Sequence, residues 1–327
     1  MLATYRILVA LLAALVAATA FAQAKPQAGT KTEVKAQTES KEKPEEDEAD
    51  KLITNRRMRA DMGSVSNWSV RTFWSYNGGS LEKPAAPERP NIDAGADALT
   101  LANGSGSVGV RYRMTKLDSV NVSVGLNMTA PFHTTIKTDN ARLKQNFNNN
   151  RQKMTVNDPT ITYTHVDSVF GFQSNTSVSA SLITNAQLEE AGYNTYGALS
   201  QTLMKDFGGG FTAGTSVTFS GYTFNSNYDD TRKAGGRLQD RAFGVYPQLE
   251  YVINDVFLLR TVFRTWVYER LEPTDSWTYR KRKVTQSTGV GISLSRDIFL
   301  YPNIQFVPSD MRADRTNVGI TANINLF

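Results

Sequence analysis

From about Ser64 to the C-terminus the chain repeats one texture: apolar residues at every second position, in segments of roughly 8 to 14 residues parted by polar links. Val120-Asn121-Val122-Ser123-Val124-Gly125-Leu126-Asn127-Met128 is one such segment, apolar at the even positions and Asn, Ser or Gly at the odd ones. Phe257, Leu259, Thr261, Phe263, Thr265 and Val267, set against Leu258, Arg260, Val262, Arg264 and Trp266, form a second. Val318, Ile320, Ala322, Ile324 and Leu326, interleaved with Gly319, Thr321, Asn323 and Asn325, form a third. A period of two sends successive side chains to opposite faces of a strand. The chain must therefore build a sheet with one apolar and one polar face.

The links decide what closes that sheet. Strands are expected near 66–77, 98–114, 119–130, 156–166, 171–184, 195–205, 210–224, 241–252, 256–269, 283–294, 298–306 and 315–327. Short links fall at Lys116-Leu117-Asp118, Asp167-Ser168-Val169, Lys205-Asp206-Phe207-Gly208, Ile253-Asn254-Asp255 and Arg296-Asp297, each with an Asp that can bond its own backbone in a tight turn. Between them lie longer polar links at about 78–97, 131–155, 185–194, 225–240, 270–282 and 307–314. A soluble sandwich has no reason to sort its loops by parity, whereas a barrel in the outer membrane has short periplasmic turns and long external loops. The expected fold class is all-β: a transmembrane antiparallel up-and-down β-barrel of about twelve strands, with both ends periplasmic and no open edge. Pro159, Pro247 and Pro302 fall inside expected strands and predict bulges or kinks, because proline lacks a ladder donor. Two aromatic girdles are expected, with Phe170, Phe172, Phe207, Phe211, Phe257 and Phe299 beside the short turns. Trp74, Tyr76, Tyr222, Trp266 and Tyr268 would make the other.

Composition adds exclusions. Charged residues are 20% of the 327, and the mean hydropathy of -0.37 is that of a soluble chain, because barrel strands dilute their apolar face with a polar one. With no cysteine there is neither a disulfide nor a thiolate metal site, and no metal or cofactor is expected. A net charge of +5 is too modest to argue for nucleic acid as a partner. Arg6, the apolar run Ile7 to Ala18 and Ala20-Phe21-Ala22 read as a signal peptide cleaved near Ala22. No later stretch could be a transmembrane helix. The expected layout is a signal peptide at 1–22, a disordered charged periplasmic linker at 23–63 and the barrel at 64–327. The linker carries the acidic cluster Pro44 to Glu48 and a basic patch at Arg56, Arg57 and Arg59, and its alternatives are a tether to a partner or to the cell wall, or a plug entering the barrel.

With its signal peptide, alternating strands and final Phe327, the chain resembles the Gram-negative outer-membrane β-barrel proteins, porin-like and of about twelve strands. The resemblance implies a location in the cell outer membrane, in contact with lipid and lipopolysaccharide. It also implies insertion by the barrel assembly machinery, reading the C-terminal strand that ends at Phe327. There is one departure: Asn323 and Asn325 share parity with Phe327, where the usual terminal pattern is apolar.

Facing the apolar parity outward turns Arg71, Arg111, Arg113, Arg260 and Arg264 into the lumen, with Glu250 as the acid among them. The opposite assignment would cost roughly 2–4 kcal/mol per charge at the bilayer midplane. Around them would stand Asn121, Asn127, Ser216, Thr218, Tyr246 and Gln248. One functional reading is a passive channel for small solutes, favouring anions through its arginines. The other is a structural or surface-interaction barrel whose lumen is closed, its arginines paired with Glu250 and with loop acids such as Asp229 and Asp230. The loop 131–155 could fold inward, although its run Asn146 to Asn150 has no apolar anchor beyond Phe147. A hydrolase comes third. His133 has no nucleophile pattern beside it, and His165 with Ser168 would fall on opposite strand faces, so no enzyme is expected.

Overall fold

A computed structural model describes residues 47–96, 98–190, 192–224, 238–272 and 279–327. Among them, antiparallel strands run up and down: β1 (Trp68–Ser80), β2 (Asn103–Arg113), β3 (Asp118–Thr129), β4 (Met154–Val169), β5 (Phe172–Leu182) and β6 (Tyr193–Asp206). They continue as β7 (Phe211–Phe224), β8 (Leu238–Val252), β9 (Phe257–Arg264 and Trp266–Glu272), β10 (Tyr279–Lys281 and Thr285–Ser293), β11 (Ile298–Phe306) and β12 (Asn317–Leu326). Each pairs with its chain neighbour, and β1 pairs with β12 in register from Val70↔Leu326 to Asn77↔Gly319 and, after a slip, at Ser80↔Asn317. The ring of twelve is therefore closed. Closure satisfies the backbone groups of every strand without help from water, which a sheet crossing lipid requires.

The outer face carries the expected apolar parity, with Val122, Ile161, Leu199, Phe219, Leu259 and Ile320 all exposed. Five short turns stand at one end, at 114–117, 170–171, 207–210, 253–256 and 294–297. The second differs from expectation: β4 runs on through Asp167 and Ser168, and the turn is Phe170-Gly171, with φ of 51° and 77°. Positive φ at both positions of a two-residue hairpin is the type I′ turn, which glycine favours, so Gly171 sets the site and Asp167 does not. Phe170 there is 94% exposed.

The prolines sit where pairing fails. Beside Pro159 the β3–β4 register slips, and Asp158 takes a φ of 50°. Pro247 lies between the last β8 partner of one half of β9 and the first of the other, Gln248↔Val262 and Val245↔Trp266. The change of register there is one residue, a bulge around Thr265. It reverses the parity of β9, so Trp266 is exposed and Val267 buried, against the unbroken alternation read from the sequence. At Pro302 the β10–β11 pairing lapses between Gly289↔Asn303 and Ile292↔Leu300 without a slip. Two girdle residues also turn inward. Phe299 is 2% exposed, and Tyr222 shares the face of Ser216 and Thr218.

In the second long loop, Ala141–Asn150 is a helix capped by Asn140, whose side chain accepts from the Leu143 amide. Leu143 and Phe147, one turn apart, bury together against Leu101, Ala130 and Ile136. That single anchor pair is enough to organise the asparagine run.

Candidate functional site: a plugged lumen

The segment before β1 does not behave as a linker. Residues up to 46 lie outside the described ones, but α1 (Glu48–Leu52) and α2 (Arg56–Met62) are helices packed inside the short-turn end of the barrel. Each has its own start signal. The Asp47 side chain accepts from the Ala49 amide at 3.0 Å, and that of Asn55 from the Met58 amide at 3.0 Å. Gly63 ends α2 at a φ of 90°, where a Cβ would stand 2.7 Å from Cδ of Arg111. Ala49, Ile53, Met58 and Met62 bury against Val166 and Met204, while Ala60 joins Leu258, Phe299 and Tyr301. The expected disorder of 23–63 thus fails for 47–63. Its few apolar residues find a ready-made apolar patch on the inner wall, which a composition argument cannot foresee.

Polar contacts fix the plug around the ring. Asp47 takes a two-pronged bond from Arg113, at 2.6 and 2.9 Å, and Asp50 one from Arg296, at 2.6 and 2.8 Å. Asn55 donates to Glu250 at 2.6 Å, and its backbone N–H to Gln173 at 2.8 Å. Glu250 in turn accepts from Arg260 at 3.0 Å, and Arg260 lies 4.9 Å from the Tyr301 ring. Asn323 donates to Asp61 and Asn325 to the Ala60 carbonyl, both at 2.7 Å. A gap of about 10 Å³ between plug and wall, by Arg111 and Met62, is the scale of one water.

Above the plug the lumen opens into a cavity of about 570 Å³. Asp61 is the plug's contribution to its boundary, and the wall is mainly Ser, Thr and Asn from β2 to β6, with Phe73 and Tyr196 as aromatics. Its charges are compensated. Asp61 faces Arg71, Arg57 and Asn323, and the Asp158 carboxylate accepts backbone N–H groups of Thr184 and Asn185.

The residues expected to line a pore are therefore spread over three places. Arg71 is on the cavity wall. Arg111, which donates to the Ser64 carbonyl at 2.7 Å, and Arg113 and Glu250 hold the plug or the chain leaving it, while Arg260 braces Glu250 from the wall. Arg264 binds Asp93 of the first long loop at 2.6 Å. Asp229 and Asp230, the expected loop partners, lie outside the described residues. A plug stood among the alternatives for this segment, but its two helices were not read from the residues, although Asp47 and Asn55 ahead of short helical stretches were a usable signal. Arg296, which holds Asp50, was read only as part of a turn.

The two histidines are far apart in role. His165 bonds Asp118 at 2.8 Å, and the same carboxylate accepts from Tyr163 at 2.5 Å and Thr115 at 2.6 Å. The Thr115 hydroxyl is thus engaged by the acid rather than facing the imidazole. The Nε2 of His133, in the second long loop, is buried without a partner among the described residues.

Neither a protein-family description nor a curated protein matches the chain. Among solved structures it is similar to an outer membrane channel from Pseudomonas putida F1, with a TM-score of 0.49 and 9% identity over 81% of this chain and 98% of that one. It is also similar to the NanC porin, with a TM-score of 0.42 and 10% identity over 79% and 98%. Outer membrane phospholipase A of Escherichia coli gives 0.36 and 9% over 80% and 94%. Channels and a hydrolase stand together in that set at TM-scores below 0.5, so no role follows from these likenesses.

Proposed function

We propose that the protein is an outer-membrane channel for passive entry of small polar solutes, held shut at its periplasmic end by its own residues 47–63. One observation carries the reading: the lumen keeps a polar cavity of about 570 Å³ directly above a separate, mainly polar plug. A barrel filled only for stability would close that space with side chains, since interiors are packed densely. The plug, by contrast, is joined to the wall by ion pairs and hydrogen bonds that water can replace when it leaves, beside two small apolar clusters around Ile53 and Ala60. The arginines expected to attract anions are mostly engaged in this joint, so an anion-favouring field is not part of the proposal.

The plug also gives the second reading, a permanently closed structural barrel, its best support. Planar-bilayer recording separates them. The full chain is expected to be mainly closed, and a variant lacking 47–63 to conduct steadily. A correctly folded deletion variant that never conducts would establish the structural reading instead.

A further inference from the structure

The cavity wall has a chemistry of its own. Ser123, Thr162, Asn175 and Ser177 line it with side chains that have no hydrogen-bond partner among the described residues. Asn121, 8% exposed, keeps a buried Oδ1 without a partner. A buried acceptor left unpaired costs about 1–3 kcal/mol, so a ligand that donates to it recovers that loss. Phe73 presents a ring, 37% exposed, to the same polar space, on a strand five places around the ring from that of Tyr196.

Four solute classes can be weighed against this wall. An anion would need an uncompensated cation, but Arg71 faces Asp61. A cation would need a free carboxylate, and both Asp61 and Asp158 are already bonded. An apolar solute would strand the hydroxyls and amides. A neutral molecule dense in hydroxyl groups, with C–H faces between them, meets both the donors and acceptors and the ring. The volume lies within the usual range for small-molecule sites, roughly 300–1,000 Å³.

Resting on the channel reading above, we infer that this cavity is a binding site for a neutral polyhydroxylated solute, of monosaccharide to disaccharide size. Asn121 orients the solute through its free Oδ1, the Ser and Thr hydroxyls match its hydroxyls, and Phe73 packs on its C–H face. Because Asp61 belongs to the plug and bounds the cavity, the bound solute touches the gate itself.

Isothermal titration of the full-length protein in nanodiscs, at fixed ionic strength, tests this with glucose and maltose against gluconate and glucosamine. A neutral sugar is expected to bind, and the charged probes to bind about ten-fold more weakly or worse. Asn121→Leu should weaken the neutral sugar about five-fold, with Ser177→Ala as the milder variant should the first not fold. Gluconate or glucosamine binding as well as glucose, no sugar binding, or unchanged affinity in the folded variants each overturns the inference. Liposome uptake by the variant lacking 47–63 keeps the two proposals apart. Binding without uptake removes the channel and leaves the site, whereas uptake of gluconate faster than glucose leaves the channel and removes the site.

Discussion

Asn55 gives the most direct handle on the plug, because its two side-chain ends do different work. Its Oδ1 caps α2 through the Met58 amide, and its Nδ2 donates to the buried Glu250 at 2.6 Å. Removing an N-cap costs about 1 kcal/mol, and removing a hydrogen bond to a charged group about 1.5–3 kcal/mol. Asn55→Ala should therefore weaken docking by roughly 2.5–4 kcal/mol, a shift of about 10²- to 10³-fold in the undocked fraction. The wall should survive, because Glu250 keeps Arg260 at 3.0 Å and Arg260 keeps Gln248 at 2.8 Å. Since the chain has no cysteine, a single Ile53→Cys, at a position fully buried in the docked plug, reports undocking by its rate of maleimide labelling. When redocking outpaces labelling, that rate follows the undocked population. The double variant should label about 10²-fold faster or more than Ile53→Cys alone. Equal rates in two barrels of equal heat resistance would refute the reasoning, showing that Asn55 does not hold the plug.

Acid should loosen the same joint. Burial pushes the Asp47 carboxyl up, but the Arg113 bond and the Ala49 amide outweigh it and hold the group below its ordinary 3.8. A depressed pKa stabilises the docked form above 3.8 and gives that stability up as pH falls through the lower folded value. Hydrogen-exchange protection of the α1 and α2 amides, corrected for the intrinsic pH dependence of exchange, should therefore fall below about pH 3.8, and Asp47→Asn should already be poorly protected at neutral pH and change less with acid. Phe147→Ala empties the fully buried anchor of the loop helix and should cost about 3–5 kcal/mol locally. Proteolysis within 131–153 should accelerate while the barrel keeps its heat resistance on gels, and an unchanged digestion pattern would mean the helix does not depend on that anchor. Gly171→Val places a branched residue at a φ of 77°, a strain of at least 1–2 kcal/mol. Slower refolding into vesicles, with the final barrel intact, is expected, and unaltered refolding would argue against the tight hairpin.

Much of the barrel was legible because strand parity is written in the residues themselves. Val122, Ser123 and Val124 alternate whatever surrounds them, and the link lengths need no three-dimensional knowledge. What the sequence hid are events in which one strand answers another. The bulge at Thr265 reverses parity within β9, yet Arg264-Thr265-Trp266 reads as plain alternation. Its cause is across the sheet, where Pro247 cannot donate to the ladder. The plug hid for a similar reason. Its apolar residues, Ala49, Ile53, Met58 and Met62, are too few to bury one another, and only Val166 and Met204, more than 100 positions later, complete the cluster.

The clue was present at the opposite end of the chain. Asn323 and Asn325 break the apolar pattern expected of a last strand, and in a barrel empty at its base they would be two amides with nothing to bind but water. They are instead 6% and 4% exposed, donating to Asp61 and to the Ala60 carbonyl. Buried amides at inward positions at the short-turn end imply a polar partner inside the lumen. The nearest unassigned chain is the segment entering β1, because β1 and β12 are neighbours in the closed ring. Read this way, the anomaly in the last strand and the charged stretch before the first are two halves of one interface. Closing the ring is what places them side by side, so the same step that makes the barrel also makes the seat for its plug.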